Sequence, residues 1–280
     1  ARMMAKNFNL EELACLTQLA HDMGVKVYVA LNSLLKPDDL NRAVNLVKSL
    51  ERWVQPDALI IQDLSFVQLI RQTGFSGELH LSTLANVSFP SALNYIRNKL
   101  EIDRVVLPRE FSIDEVKTLA KACPDKLGLE VFIHGALCYA VSGRCYWSSY
   151  LGGKSGLRGR CVQPCRRFYT QNNQKNRLFS CKDLSVDVLA KVLLSVSEVR
   201  AWKIEGRKKG PHYVYYTVKA YKMLRDFVRD PEKKRNALRL LDYALGRTGT
   251  HYNFLPQRPQ NPIDIKNQTG SGLLVGKVQG

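Results

Sequence analysis

The chain has 280 residues, 45% of them hydrophobic, and carries 42 Lys or Arg against 25 Asp or Glu, a formal net charge of +17. That length suits one large α/β domain, or a domain plus a fragment, and no apolar run approaches the roughly 20 residues that span a bilayer. So positive a chain exceeds what solubility requires and points to nucleic acid; a membrane surface would call for a basic amphipathic helix or a lipidation signal, and neither stands out.

In chain order, the run LEELACLTQLAHDMG reads as a helix. Aliphatic and β-branched strands follow at residues 26–32, 58–63, 78–82, 104–110, 129–135, 178–183 and 201–207, alternating with amphipathic helices at 38–54, 66–72, 112–123, 186–195 and 213–228. Repeated strand–helix–strand units predict an α/β fold with a parallel sheet. Seven strands behind an opening loop and helix predict a (β/α)8 TIM-like barrel over residues 1–246, lacking its first strand, with a cysteine-rich insertion at 136–177. A doubly wound open sheet is the alternative, but no GxGxxG turn follows any strand. In a barrel the polar strand ends Asn32, Gln62, Asp63, Ser82, Arg109, Glu110, His134, Lys182, Asp183, Glu205 and Arg207 would converge on one face. Beyond residue 228 come a charged helix, a Pro- and Asn-rich linker at 247–270, and the start of a truncated β domain at 271–280. The beginning of the chain lacks the charged-then-apolar order of a signal peptide, so a cytoplasmic protein is expected.

Five of the seven cysteines lie between Cys138 and Cys181, and from Val131 to Lys182 there is no Asp or Glu but nine Lys or Arg. Cys15 and Cys123 stand apart in helical runs and read as ordinary packing or surface residues. Thiolates are soft metal ligands, so Cys138, Cys145, Cys161 and Cys165 are candidate ligands of zinc or an iron–sulfur cluster. Only Cys161 and Cys165 have the close spacing of a structural zinc pair, which favours a cluster held beside substrate. Cys181 competes with Cys165 for the fourth place.

His134 is a candidate acid, base or substrate ligand; Glu130 and Glu205 are further candidates for the chemistry. Arg109, Lys203 and Arg207 are candidates for holding an anionic small molecule, since charges inside a barrel must be paired or bind something charged. Around the thiols, Arg144, Lys154, Arg158, Arg160, Arg166 and Arg167 are interleaved with Tyr139, Tyr146, Trp147, Tyr150, Phe168 and Tyr169. Cations for phosphate beside rings for bases suit RNA. No GxSxG, HExxH or GxxxxGK[ST] motif is present, although a Cys138–His134 protease dyad is conceivable.

The run EVFIHGALCYAVSGRC resembles the signature of the collagenase-like peptidase family of unknown catalytic type. RGRCVQPCRR, the KDL at 182–184, and KIEGR followed by a segment ending in YV (residues 203–214) resemble it further. Relatives in that family include RNA-modifying enzymes that make 5-hydroxycytidine in ribosomal RNA or 5-hydroxyuridine in tRNA, and others that support ubiquinone hydroxylation. The resemblance implies a 4Fe–4S cluster on Cys138, Cys145, Cys161 and Cys165 or Cys181, in preference to zinc. It also implies prephenate as co-substrate and rRNA or tRNA as partner. Peptidase activity, and hydroxylation of a small aromatic such as a quinone precursor, are the alternatives.

Overall fold

The computed structural model describes residues 7–206 and 209–265. In chain order the elements are α1 (Leu10–Asp22), β1 (Tyr28–Leu31), α2 (Leu40–Ser49), β2 (Ala58–Ile61), α3 (Leu64–Gln72), β3 (Glu78–Leu81), α4 (Pro90–Leu100), β4 (Arg104–Val106), α5 (Ile113–Lys121) and β5 (Gly128–Ala136). They continue with α6 (Trp147–Gly152), β6 (Tyr169–Gln171), β7 (Gln174–Asn176), β8 (Asp183–Ser185), α7 (Ala190–Leu194), β9 (Val199–Ile204), α8 (Pro211–Asp226), α9 (Pro231–Tyr243) and β10 (Gly249–Thr250). The chain divides into two compact units. The first takes in Ala1–Pro108, Lys121–Glu130 and Ala140–Pro164, the second Arg109–Ala120, Val131–Tyr139 and Cys165–Gly280.

In the first unit β1, β2, β3, β4 and the start of β5 pair in parallel, with Tyr28 opposite Ala58, Ala58 opposite Glu78, His80 opposite Arg104 and Arg104 opposite Gly128. Leu59, Ile61, Leu79, Leu81 and Val105 are fully buried, as a parallel sheet covered by helices requires. Helices α3 and α4 bury Phe66, Val67, Ile70, Leu93 and Ile96, each side chain contributing about 1.5–3 kcal/mol of apolar burial. Carboxylates at strand starts fasten the neighbouring strand: Asp57 accepts from the Val27 N–H at 2.7 Å and Asp103 from the Leu79 N–H at 2.9 Å. Helix α1 starts on a capping box, Asn9 accepting from Glu12 N–H while Glu12 accepts from Asn9 N–H. The helix predicted at 38–54 stops at Ser49 and gives way to a π turn over Leu50–Val54, closed by Gln55 at φ 52°.

In the second unit β8 runs antiparallel to the end of β5, His134 opposite Ser185 and Ala136 opposite Asp183. Strand β10 lies parallel to β8, and β9 pairs with β5. Strands β6 and β7 form a hairpin turned by Asn172 and Asn173, whose positive φ values of 49° and 59° match the right-handed twist of a tight hairpin. Helices α8 and α9 pack on one another.

The fold is thus mixed α/β with a parallel sheet. The predicted (β/α)8 barrel is not what is seen: no sheet closes among the described residues, and β8 enters antiparallel. The strand predicted at 178–183 is replaced by Asp183–Ser185, with Cys181 making a single bridge to Ile263. Strand β10 lies within the span predicted as linker. The strand predicted at 271–280 falls outside the described residues. Among the described residues no helix is long and apolar enough to cross a membrane.

Candidate active site

The chemistry of the second unit gathers where β5 ends. Gly135 there has φ +111°, and a Cβ on it would lie 2.3 Å from the Glu205 carbonyl oxygen. Only glycine allows this approach, which is completed by the Glu205 N–H donating to the His134 carbonyl at 2.8 Å. The backbone therefore brings His134 and Glu205 together although 71 positions separate them (205 − 134).

His134 is 8% exposed. Its Nδ1 lies 3.3 Å from the Tyr221 hydroxyl, and the Tyr213 and Tyr221 rings stand 5.9 and 5.4 Å from the imidazole. The Tyr221 hydroxyl donates to the Ile133 carbonyl at 2.9 Å, accepts from Val186 N–H at 3.2 Å and lies 3.2 Å from Ser185 Oγ. Burial pulls the His134 pKa down to about 4, against the opposing pull of Asp183 and Asp187, and Lys209 lowers it further. The imidazole is neutral at neutral pH. Burial pushes the phenols of Tyr213 and Tyr221 well above the usual range. Asp183, 1% exposed, accepts from Arg247 Nε at 2.7 Å. Tyr221 and Arg247 were not singled out by sequence reasoning, and nothing local marks them; Tyr213 was marked there only as part of the YV that ends the segment after KIEGR.

Arg109 donates to Glu205 at 2.8 Å and to the Ala136 carbonyl at 3.2 Å, and its guanidinium lies 4.1 Å from the centre of the Phe132 ring. Its Nε is buried without a partner among the described residues. The Lys203 ammonium approaches the same ring at 5.7 Å. Arg207 lies outside the described residues. Glu130 belongs to the first unit, where its carboxylate meets Arg104 at 3.4 Å. Two other polar strand ends serve locally: Asp63 caps α3 through Ser65 N–H, and Ser82 accepts from Leu84 N–H.

None of the seven cysteines is in a disulfide. Cys145 and Cys161 belong to the first unit, Cys138, Cys165 and Cys181 to the second. In the first, a Cβ on Gly156 would sit 3.7 Å from the Cys145 carbonyl and 3.8 Å from Cys161 Cβ, ordinary contact distances that put both residues beside this glycine. In the second, Arg166 organises the neighbourhood. It donates to the Leu137 carbonyl at 2.9 Å, to Ser180 Oγ at 3.0 Å and to the Cys181 carbonyl. Burial raises the Cys181 pKa, while Arg166 lowers it and Cys138 raises it. The donor set, soft and sulfur-only, is that of zinc or an iron–sulfur cluster. Among the described residues, however, no three His, Cys, Asp or Glu side chains are gathered so as to hold a metal ion.

Of the cations considered for RNA, Arg144, Lys154, Arg160 and Arg167 are exposed. Arg158 instead pairs with Asp39 at 2.6 Å, and Arg166 is spent on the carbonyls named above.

The chain is 34% identical to a collagenase of Porphyromonas gingivalis, over 78% of this chain and 56% of the relative. It is 34% identical to the 23S rRNA 5-hydroxycytidine synthase of Escherichia coli, over 81% of this chain and 35% of that protein. It is 30% identical to tRNA hydroxylation protein P of Helicobacter pylori, over 94% of this chain and 65% of that one. It therefore spans between about a third and two thirds of the length of these relatives. Residues 1–263 match Peptidase family U32, and the chain belongs to that family.

Proposed function

We propose that this chain is the core of an iron–sulfur-dependent RNA hydroxylase that forms a 5-hydroxypyrimidine in rRNA or tRNA, with prephenate as co-substrate. The observation that carries the reading is the segment 131–182, which has nine cations and no carboxylate and exposes Arg144, Lys154, Arg160 and Arg167. Proteins named for rRNA and tRNA hydroxylation among the relatives support it. In this reading Cys138, Cys145, Cys161 and either Cys165 or Cys181 are the residues that would hold a 4Fe–4S cluster, which would supply one-electron chemistry. Neutral His134 takes up a proton on its imidazole. Arg109 and Lys203, which share the Phe132 ring, are the cations for carboxylates of the anionic co-substrate, with Glu205 holding Arg109 in place until they arrive.

A peptidase reading has the collagenase relatives in its favour. It finds less support at His134, whose Nδ1 partner is the hydroxyl of Tyr221, a phenol that burial keeps protonated, and not a serine or cysteine nucleophile. Anaerobic purification separates the two. The hydroxylase reading expects brown protein with about four irons per chain and retention of RNA on filters that falls steeply with salt. Colourless protein that cleaves gelatin and ignores RNA would overturn it.

A further inference from the structure

Six aromatic residues are interleaved with the basic segment, and the structure separates five of them into two groups. Tyr139 and Tyr169 pack edge-on against Phe179, at 5.2 and 5.1 Å, and Phe168 is covered by Arg177 at 4.2 Å and Lys175 at 5.4 Å. Those three rings already have neighbours on them. Tyr146 and Tyr150, by contrast, are 67% and 88% exposed. They are four residues apart, at the N-cap and inside α6, and so lie one above the other on the same side of the helix.

Exposed side chains on a six-residue helix would mean little if the helix were loosely held. This one is fastened. Ser148, fully buried, accepts from Val162 N–H at 3.2 Å and donates to Cys161 Sγ at 3.6 Å. Gly153 at φ 59° closes the far end, its N–H donating to Ser149 and the Lys154 N–H to Ser148. The helix that carries the two rings is thereby fastened to the Cys161 stretch, with exposed Arg144, Lys154 and Arg160 next to them in the chain and no carboxylate anywhere in the segment.

We infer that Tyr146 and Tyr150 form a stacking platform for unpaired RNA bases, with Arg144, Lys154 and Arg160 holding the flanking phosphates. The inference rests on the RNA reading above and sharpens it to single-stranded or looped RNA. A paired base hides both faces in its own stack, and only an unpaired one can lie on a tyrosine. The geometry also places such a base on the element tied to Cys161.

The test is fluorescence anisotropy over a series of salt concentrations, using a single-stranded pyrimidine-rich RNA of about 12 nucleotides and the same sequence as a duplex. Tyr146→Ala and Tyr150→Ala should each weaken single-strand binding roughly tenfold and leave the salt slope unchanged, while the phenylalanine variants bind as wild type does. Arg144→Ala, Lys154→Ala and Arg160→Ala should each flatten the slope by about one. An unchanged thermal midpoint in the tyrosine variants shows that the fold is intact. Alanine variants that bind RNA as tightly as wild type, or a wild type that takes the duplex equally well, would overturn the platform and leave the RNA reading standing. Wild-type protein that binds neither RNA would sink both.

Discussion

Replacing Arg166 with alanine probes the thiol-bearing part of the second unit most sharply. The guanidinium donates to the Leu137 carbonyl, Ser180 Oγ and the Cys181 carbonyl, and the Arg166 carbonyl itself accepts from Arg177. Leu137 precedes Cys138 and Arg166 follows Cys165, so one side chain ties together three cysteine-bearing stretches. Truncation leaves up to three part-buried acceptors without their donor. At about 1–3 kcal/mol for each such group, reduced where water can enter, the loss should be about 3–5 kcal/mol. Arg166→Lys keeps a charge but loses the fork that reaches several acceptors, and should lose roughly half as much. Urea unfolding of the metal-free protein measures this directly, as a lower midpoint at unchanged slope. The same variant should leave the salt dependence of RNA binding untouched, because the guanidinium is engaged with backbone. An Arg166→Ala protein within about 1 kcal/mol of wild type, or one whose RNA salt slope drops by about one, would refute this assignment and place the side chain on phosphate.

Two further outcomes follow from the β5 end. Gly135→Ala puts a Cβ 2.3 Å from the Glu205 carbonyl at a φ of +111°, so it should cost more than about 4 kcal/mol or prevent folding; a melting temperature near wild type would contradict the close approach. His134 has a folded pKa of about 4 against roughly 6.5 unfolded, so the unfolded chain binds more protons between those values. Its contribution is therefore complete above about pH 6.5 and is lost as pH falls towards 4, up to about 3 kcal/mol in all. His134→Gln should flatten unfolding free energy across that window, and an unchanged pH dependence would show that the imidazole is not buried neutral. His80, whose pKa burial also lowers, adds a loss of the same sign that the variant retains.

The elements that proved legible in the sequence were those whose signal is local. Alternating aliphatic strands such as Ala58–Ile61 and Glu78–Leu81, and the amphipathic helices between them, fell within a few residues of their predicted places. Helix α4 was not singled out, though Pro90 sits at its first turn. The antiparallel entry of β8 was invisible because residues 178–185 carry no sign of their partner, which lies about fifty positions earlier on β5. Site chemistry divides the same way. His134, Glu205 and Arg109 were marked by their positions at strand ends, and the structure brings them to one place. Tyr221 and Arg247 were not, since their roles depend on partners, His134 and Asp183, that lie 87 and 64 residues away in sequence. The six segment cations looked alike in sequence. Only packing separates Arg158 and Arg166, engaged with the protein itself, from Arg144, Lys154, Arg160 and Arg167 on the surface.

Nucleoside mass spectrometry of rRNA and tRNA, from cells lacking the gene and from the same cells complemented with the wild-type or Cys138→Ser protein, tests the central claim most directly. The account predicts that one pyrimidine nucleoside bearing an added oxygen disappears on deletion, returns with the wild-type gene and does not return with Cys138→Ser. Identical nucleoside profiles in the parent strain and in these three strains would contradict it.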